Sequence, residues 1–319
     1  MAFAIMCSGG DAPGMNSAIK KFVDYTYKLD IDAYFIYNGL EGLIDNDIKR
    51  AYHSDVAGIL HIGGTIIRSS RSKRFFLKEH RKQAYQNLKL HDIDGIVVLG
   101  GDGSFRAMDI FSSEFDVNFV GVPSTIDNDI YGTEYCLGVD TSLNVIRDAL
   151  DKIRDTSSSF SRAFIVEVMG RDCGYLAVVS AMSSGAEICV IPEVEFNTKE
   201  LEKRLVKEIN DGRNYILAIV SEGAKKTSEI YKWIESSLGL EVRVSILGHI
   251  QRGGNPTVFD RMMAFDFTIN AIDYLNSHTI SNKVVVYNKG EISFMQIEEV
   301  VSNKYQLPKR YLEALKYLD

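Results

Sequence analysis

Short, nearly uninterrupted apolar runs alternate along the chain with longer stretches in which apolar residues return every three or four positions. Residues 2–7, 33–37, 95–99, 118–122, 163–169, 188–191, 215–220, 243–247 and 284–287 are runs of the first kind and read as strands. Helical patterns lie between them. Met15, Ile19, Phe22, Tyr25 or Thr26, and Leu29 mark one apolar stripe, and Phe105, Met108 and Ile110 or Phe111 mark another. Val139, Leu143, Ile146, Leu150 and Ile153 form a third stripe, after which residues 154–159, Arg-Asp-Thr-Ser-Ser-Ser, read as a loop. Residues 78–89 predict a charged helix and 175–182 and 198–209 two more, followed by a long helix ending at 275 and a C-terminal helix. This alternation predicts an α/β protein whose mostly parallel sheets are covered by helices on both faces, with ligands at the carboxyl ends of strands.

Composition narrows the picture. The 319 residues are 45% hydrophobic and 25% charged, enough for a large core and for one or two domains. A formal net charge of −7 argues against general nucleic-acid binding, so any anion site has to be gathered locally from Arg, Lys and backbone N–H groups. Cys7, Cys136, Cys173 and Cys189 form no C-x-x-C pair and read as reduced packing residues. No run approaches transmembrane length and the N-terminal residues lack a basic leader, so no membrane partner and a cytoplasmic location are expected.

The candidate chemistry lies where strands end. Ser8-Gly9-Gly10-Asp11-Ala12-Pro13-Gly14 joins the first strand to the first helix; it matches neither G-x-G-x-x-G nor a Walker A pattern, and a plain βα turn is the stronger reading. Gly100-Gly101-Asp102-Gly103-Ser104 is more specific. Its glycines let the backbone close on phosphate oxygens, the helix start favours negative charge, and Asp102 is placed to hold a divalent cation. Thr125-Ile126-Asp127-Asn128-Asp129 carries two carboxylates at a strand mouth, where they have few structural uses, although a polar turn uses such residues too. Arg68, Arg71, Lys73 and Arg74 cluster beside Gly63-Gly64 and read either as a solvated helix start or as an anion-binding group.

In this order, these motifs together with Met169-Gly170-Arg171 and Leu247-Gly248-His249-Ile250-Gln251-Arg252-Gly253-Gly254 resemble the bacterial-type ATP-dependent 6-phosphofructokinases over essentially the whole chain. The resemblance implies two domains, residues 1–138 with 251–300 for ATP and residues 139–250 with 301–319 for fructose 6-phosphate, with the active site in the cleft between them. It implies transfer of the ATP γ-phosphate to the 1-hydroxyl of fructose 6-phosphate with Mg²⁺. Asp127 would be the general base, Thr125 and Arg171 would contact the transferring group, and Asp129 would support the geometry. Gly10, Arg71, Ser72, Gly101, Asp102, Gly103 and Ser104 would hold the nucleotide, Asp102 also binding the metal. The sugar phosphate would meet Arg162, Arg243, His249 and Arg252, with Met169, Gly170 and Glu222 on the sugar. Arg162 and Arg243 would reach across a subunit boundary, implying a homotetramer. Taken singly, these two arginines would read as solvated charges and His249 as a packed histidine.

Departures from the family pattern bear on donor and control. Pyrophosphate-dependent relatives usually carry Asp where Gly103 stands and Lys where Ser124 stands; Gly103 therefore favours ATP, while Ser124 replaces the glycine usual in ATP-dependent members. Arg68 stands where a small or uncharged residue is common, and Ser72 where an aromatic often lies. Of the effector set expected of an allosteric member, Arg154, Gly185 and Glu187 match, and Lys20 and Arg213 keep a charge. Asp24 and Asp211 replace cations, His53 an arginine and Tyr215 a histidine, which predicts weak control by ADP and phosphoenolpyruvate. A lipid or NAD kinase would lack the blocks at 169–171 and 249–254. A non-catalytic sugar-phosphate sensor would be expected to lose Asp127 or Asp102.

Overall fold

The computed structural model describes residues 1–278, 280 and 282–318. The strands are β1 (Ala2–Cys7), β2 (Asp32–Ile36), β3 (Ile48–Arg50), β4 (Gly95–Gly100), β5 (Phe119–Pro123), β6 (Ala163–Val168), β7 (Ile188–Val190), β8 (Ile216–Ser221), β9 (Val242–Ile246), β10 (Lys283–Asn288) and β11 (Glu291–Gln296). The α-helices are α1 (Met15–Lys28), α2 (Gly39–Asp45), α3 (Lys78–Leu90), α4 (Asp102–Glu114), α5 (Val139–Phe160), α6 (Tyr175–Ser184), α7 (Thr198–Asn210), α8 (Thr227–Trp233), α9 (Val258–Ser277), α10 (Ile297–Ser302) and α11 (Lys309–Ala314). The chain divides into two compact units, Met1–Thr141 with Arg252–Tyr305 and Ser142–Gln251 with Gln306–Asp319. These crossings lie one to five residues beyond the boundaries expected from the resemblance.

Among the described residues, the first unit holds a seven-stranded sheet in the order β11-β10-β5-β4-β1-β2-β3. The central strands β1, β4 and β5 pair in parallel and are buried along their whole length, as strands covered on both faces must be. The sheet is mostly parallel, as expected, with antiparallel pairs only at its edges among the described residues, where β3 pairs with β2 and β11 with β10. β11 follows β10 through a two-residue turn that cannot accommodate a crossover. Helix α9 lies over β4 and β5 and packs along α1, while α4 packs against α10. Gly121 in β5 gives α4 its closest approach, because a Cβ there would lie 2.6 Å from the Phe105 ring.

The second unit carries an all-parallel four-stranded sheet, β7-β8-β6-β9. Its core gathers Ile165, Ile188, Val190, Leu205, Ile216, Ala218, Val220, Ile230 and Ile234. The expected loop at 154–159 is instead the last part of α5. Ser157 is buried on the same side as Leu150, seven residues earlier, so the apolar stripe continues through a small polar residue. Its hydroxyl donates to Arg162 O at 3.0 Å and that of Ser159 donates to Asp155 O at 2.9 Å, which gives these two hydroxyls partners in a stretch that composition alone assigns to a loop.

Candidate active site

In the first unit three parallel strand ends stand side by side. Cys7 pairs with Leu99 and Gly100 with Pro123, so the turns after β1, β4 and β5 are neighbours. Hydrogen bonds lace them together: Ser8 N donates to Leu99 O at 2.9 Å, Ser124 N to Gly100 O at 2.8 Å, and Ser104 Oγ to Ser8 Oγ at 2.9 Å. Gly100 has to be glycine, since a Cβ would meet Ser104 at 2.7 Å and Ser8 O at 3.0 Å. A Cβ on Gly101 would lie 3.5 Å from that of Thr125, so the phosphate-turn candidate and the carboxylate segment are in contact. A Cβ on Gly103 would meet nothing within 4 Å; the backbone at the start of α4 faces open space there. Asp102, about half exposed, accepts from Arg106 Nε at 2.8 Å one turn along α4.

The carboxylate segment alternates in burial. Ile126, Asn128 and Ile130 are buried, whereas Thr125, Asp127 and Asp129 are partly exposed. Asn128 adopts φ 51°, a left-handed conformation that asparagine tolerates better than most residues. Its Nδ2 donates to Glu134 O at 3.0 Å and its Oδ1 accepts from Cys136 N at 2.9 Å, closing the loop behind the two acids. Asp127 N donates to Thr125 Oγ1 at 3.3 Å. The loop is then anchored by Asp260 at the start of α9. This buried carboxylate accepts from Gly138 N and Thr141 N, each at 2.8 Å, and from Thr141 Oγ1 at 2.5 Å. Burial pushes the Asp260 carboxyl above its ordinary range, and the hydrogen bonds from Thr141 and Gly138 pull against that.

Arg252 lies in this first unit. Its guanidinium covers Gly10, where a Cβ would lie 2.5 Å from Nη1, and Nη1 donates to Asp11 O at 3.2 Å. The segment around Arg71 is stitched to the same turn: Gly9 N donates to Ser70 O at 3.0 Å and Ser69 Oγ to Gly9 O at 2.9 Å. Ser70 Oγ donates to Asn38 O at 2.6 Å. Ser72 Oγ accepts from Phe75 N at 3.1 Å, within its own turn. The basic cluster is unequal, because Arg74 is spent on Glu41 at 3.0 Å and Asp45 at 2.8 Å.

In the second unit, Met169-Gly170-Arg171, Glu222 and His249 follow the carboxyl ends of β6, β8 and β9. Gly170, at φ 122°, accepts from Ser221 Oγ at 2.6 Å and from Gly223 N at 3.0 Å, which holds 169–171 against 221–223. A Cβ on Gly223 would lie 1.8 Å from Arg171 O. Buried Gln251 accepts from Met169 N at 3.0 Å and donates to Gly248 O at 2.9 Å, tying the 247–252 turn to the end of β6. Arg162 and Arg243 lie elsewhere. Arg162 immediately precedes β6 and Arg243 is the second residue of β9, so both occupy the amino end of the sheet. At about 3.3 Å per residue, the seven steps from Arg162 to Met169 span about 23 Å.

The effector candidates are largely occupied from within. In the first unit Asp24 pairs with Lys20 and with His53 Nδ1, each at 3.0 Å. In the second, buried Glu187 accepts from Arg213 and from Leu217 N at 2.6 Å, while Arg213 Nε also pairs with Glu208 at 2.9 Å. Burial raises the Glu187 carboxyl pKa, opposed by the Leu217 N–H and by Arg213 and Arg154. Arg154 Nη2 lies 3.8 Å from where a Gly185 Cβ would be. Among the described residues, no group of three or more His, Cys, Asp or Glu side chains could hold a metal ion, and no helix is long and apolar enough to cross a membrane.

Sequence reasoning had passed over Asn128, Asp260 and Gln251. The first and third stand inside motifs already noted, and their signal was a carboxamide in a buried position; Asp260 had no local signal.

The chain is 57% identical over 314 residues to an ATP-dependent 6-phosphofructokinase of Sulfurimonas denitrificans, covering 98% of both chains. It is 40% identical over 315 residues to one of Thermotoga neapolitana, covering 99% of this chain and 98% of the relative. Among solved structures, phosphofructokinase from Saccharomyces cerevisiae superposes with a TM-score of 0.90 at 33% identity, covering 100% of this chain and 47% of the yeast chain. A pyrophosphate-dependent phosphofructokinase from Marinobacter aquaeolei, at 20% identity and a TM-score of 0.85 over 98% of this chain and 91% of that one, shares the fold. The family description phosphofructokinase matches residues 2–275, and with curated relatives aligned along nearly the whole length, the chain belongs to the phosphofructokinase family.

Proposed function

We propose that the chain transfers the γ-phosphoryl group of ATP to the 1-hydroxyl of fructose 6-phosphate, giving fructose 1,6-bisphosphate and ADP. The observation that carries this reading is the row Thr125, Asp127 and Asp129, partly exposed on a loop whose alternate residues are buried and set against the glycine turn of β4. The sugar oxygen attacks the γ-phosphorus, the bond from that phosphorus to the ADP oxygen breaks, and Asp127 takes the hydroxyl proton. Thr125 and Arg171 contact the transferring group, and Asp129 supports the geometry. Gly10, Arg71, Gly101, Gly103 and Ser104 cradle the nucleotide, with Ser72 on the rim.

Mg²⁺ supplies charge neutralisation on the phosphates. It usually takes one or two carboxylates plus phosphate oxygens, so a single half-exposed Asp102 at the mouth of α4 fits it; Arg106 has to yield that carboxylate. The open space beside Gly103 leaves room for the nucleotide's inner phosphates, which supports ATP over pyrophosphate. Met169, Gly170 and Glu222 bind the sugar, and Arg162, Arg243, His249 and Arg252 meet its 6-phosphate.

Self-association as a homotetramer completes the sugar-phosphate site. Its support is the placement of Arg162 and Arg243 at the amino end of the sheet, beside the exposed edge residue Val244. The internal pairing of Lys20 with Asp24 and of Arg213 with Glu187 supports weak control by ADP and phosphoenolpyruvate, since an anionic effector has to displace a carboxylate at these two cations. We place the enzyme in the cytoplasm. A coupled assay with fructose 6-phosphate and Mg²⁺, supplying ATP and pyrophosphate in turn, tests the reaction: ATP should support turnover and pyrophosphate should not. Turnover with pyrophosphate alone would refute the donor assignment.

A further inference from the structure

β6 and β9 are parallel neighbours with Ala163 opposite Val242. The residues just before each strand, Arg162 and Glu241, are therefore side by side, and Ala163 N donates to Glu241 O at 2.9 Å. Side chains two apart on an extended chain share a face, which brings Arg243 to Glu241 from within β9. Both arginines reach the same carboxylate: Arg162 Nε donates to Glu241 Oε2 at 2.5 Å, and Arg243 Nη2 donates to Oε1. The Phe160 ring covers the Arg162 guanidinium at 4.6 Å. The side chains of Glu241 and Arg243 are 47% and 52% exposed, so the cluster is open to an incoming anion.

We propose that Glu241 is an internal counter-ion that occupies Arg162 and Arg243 until a phosphate dianion displaces it, and that it thereby holds down the affinity for fructose 6-phosphate. The inference rests on the assignment of these two arginines to the 6-phosphate. Its sign follows from charge. Two guanidinium groups and one carboxylate leave a single net positive charge to meet a dianion, and removing the carboxylate doubles it. The ion pair itself is exposed and adds little order to the arginines, whereas a carboxylate left beside a bound dianion repels it at short range.

The test compares wild type, Glu241→Gln and Glu241→Asp in fructose 6-phosphate saturation at saturating Mg·ATP, with thermal melts to verify folding. Glu241→Gln should lower the half-saturating fructose 6-phosphate concentration about fivefold, with no change in KM for ATP and a much smaller change in kcat. Glu241→Asp should stay near wild type, and adding Arg162→Ala to Glu241→Gln should erase the gain. A half-saturation that is unchanged or raised in a folded Glu241→Gln enzyme would overturn the inference, leaving Glu241 as a plain surface ion pair or an organiser of the arginines. If wild type turned over no fructose 6-phosphate, the functional reading would fail separately. Thermal stabilisation by inorganic phosphate would still decide about Glu241, being greater for Glu241→Gln than for wild type if the inference holds.

Discussion

Asn128 separates two carboxylates and does different work from either. It is buried, left-handed and hydrogen-bonded to both Glu134 O and Cys136 N, so it fixes the loop from which Asp127 and Asp129 project. Asp127→Asn should lower turnover roughly 10²–10⁴-fold, the range for general-base assistance, with fructose 6-phosphate binding nearly intact in equilibrium titration. Asn128→Ala should also lower turnover, but with stability reduced by about 1–3 kcal/mol, read as a lower melting temperature, because it leaves a buried N–H and a carbonyl without their partner and puts alanine where φ is positive. Parallel loss of activity and stability in one variant, and loss of activity alone in the other, distinguishes support from chemistry. Arg68 makes the converse case. It holds φ 60°, a conformation better suited to glycine, so Arg68→Gly should raise stability by about 1 kcal/mol, read as a higher melting temperature. The two acids were legible in the sequence because they are polar at a strand end. Asn128's part was not, since only the fold shows which member of a polar run turns inward.

At the scale of elements, the buried strands were legible because a run covered on both faces has few other readings, as in 2–7 and 95–99. Edges and helix ends were less so. The three-residue β3 and the seven-residue, glycine-bearing α2 are too short to leave a periodic signal. The extension of α5 through its serines depends on hydroxyl bonds that composition does not record. Least visible was the link between α9 and α5, which joins residues more than a hundred positions apart: Asp260 receives Gly138 N, Thr141 N and Thr141 Oγ1. Asp260→Asn keeps one acceptor but turns an amide donor toward donors already there. It should cost about 2–3 kcal/mol in denaturant unfolding.

At the scale of the molecule, the family and the turn of glycines could be read from sequence, while the pairing of the candidate effector cations could not. Asp24 was visible as a reversal, but its simultaneous pairing with Lys20 and His53 comes from the fold. Neither ADP nor phosphoenolpyruvate should shift the half-saturating fructose 6-phosphate concentration by more than about twofold, and a large shift at sub-millimolar effector would contradict this. In sedimentation the enzyme should run as a tetramer, with specific activity falling on dilution below the dissociation constant of the assembly. The separation of Arg162 from Met169 by the length of β6 has a consequence for inheritance of activity. A chain lacking Asp127 should turn over little at any concentration and a chain lacking Arg162 little at low fructose 6-phosphate, yet in the proposed tetramer they damage different halves of a shared site. Unfolded and refolded together, they should regain turnover in the fraction of sites where an intact Asp127 faces an intact Arg162 from the neighbour, so two defective genes in one cell would complement each other at the level of the protein.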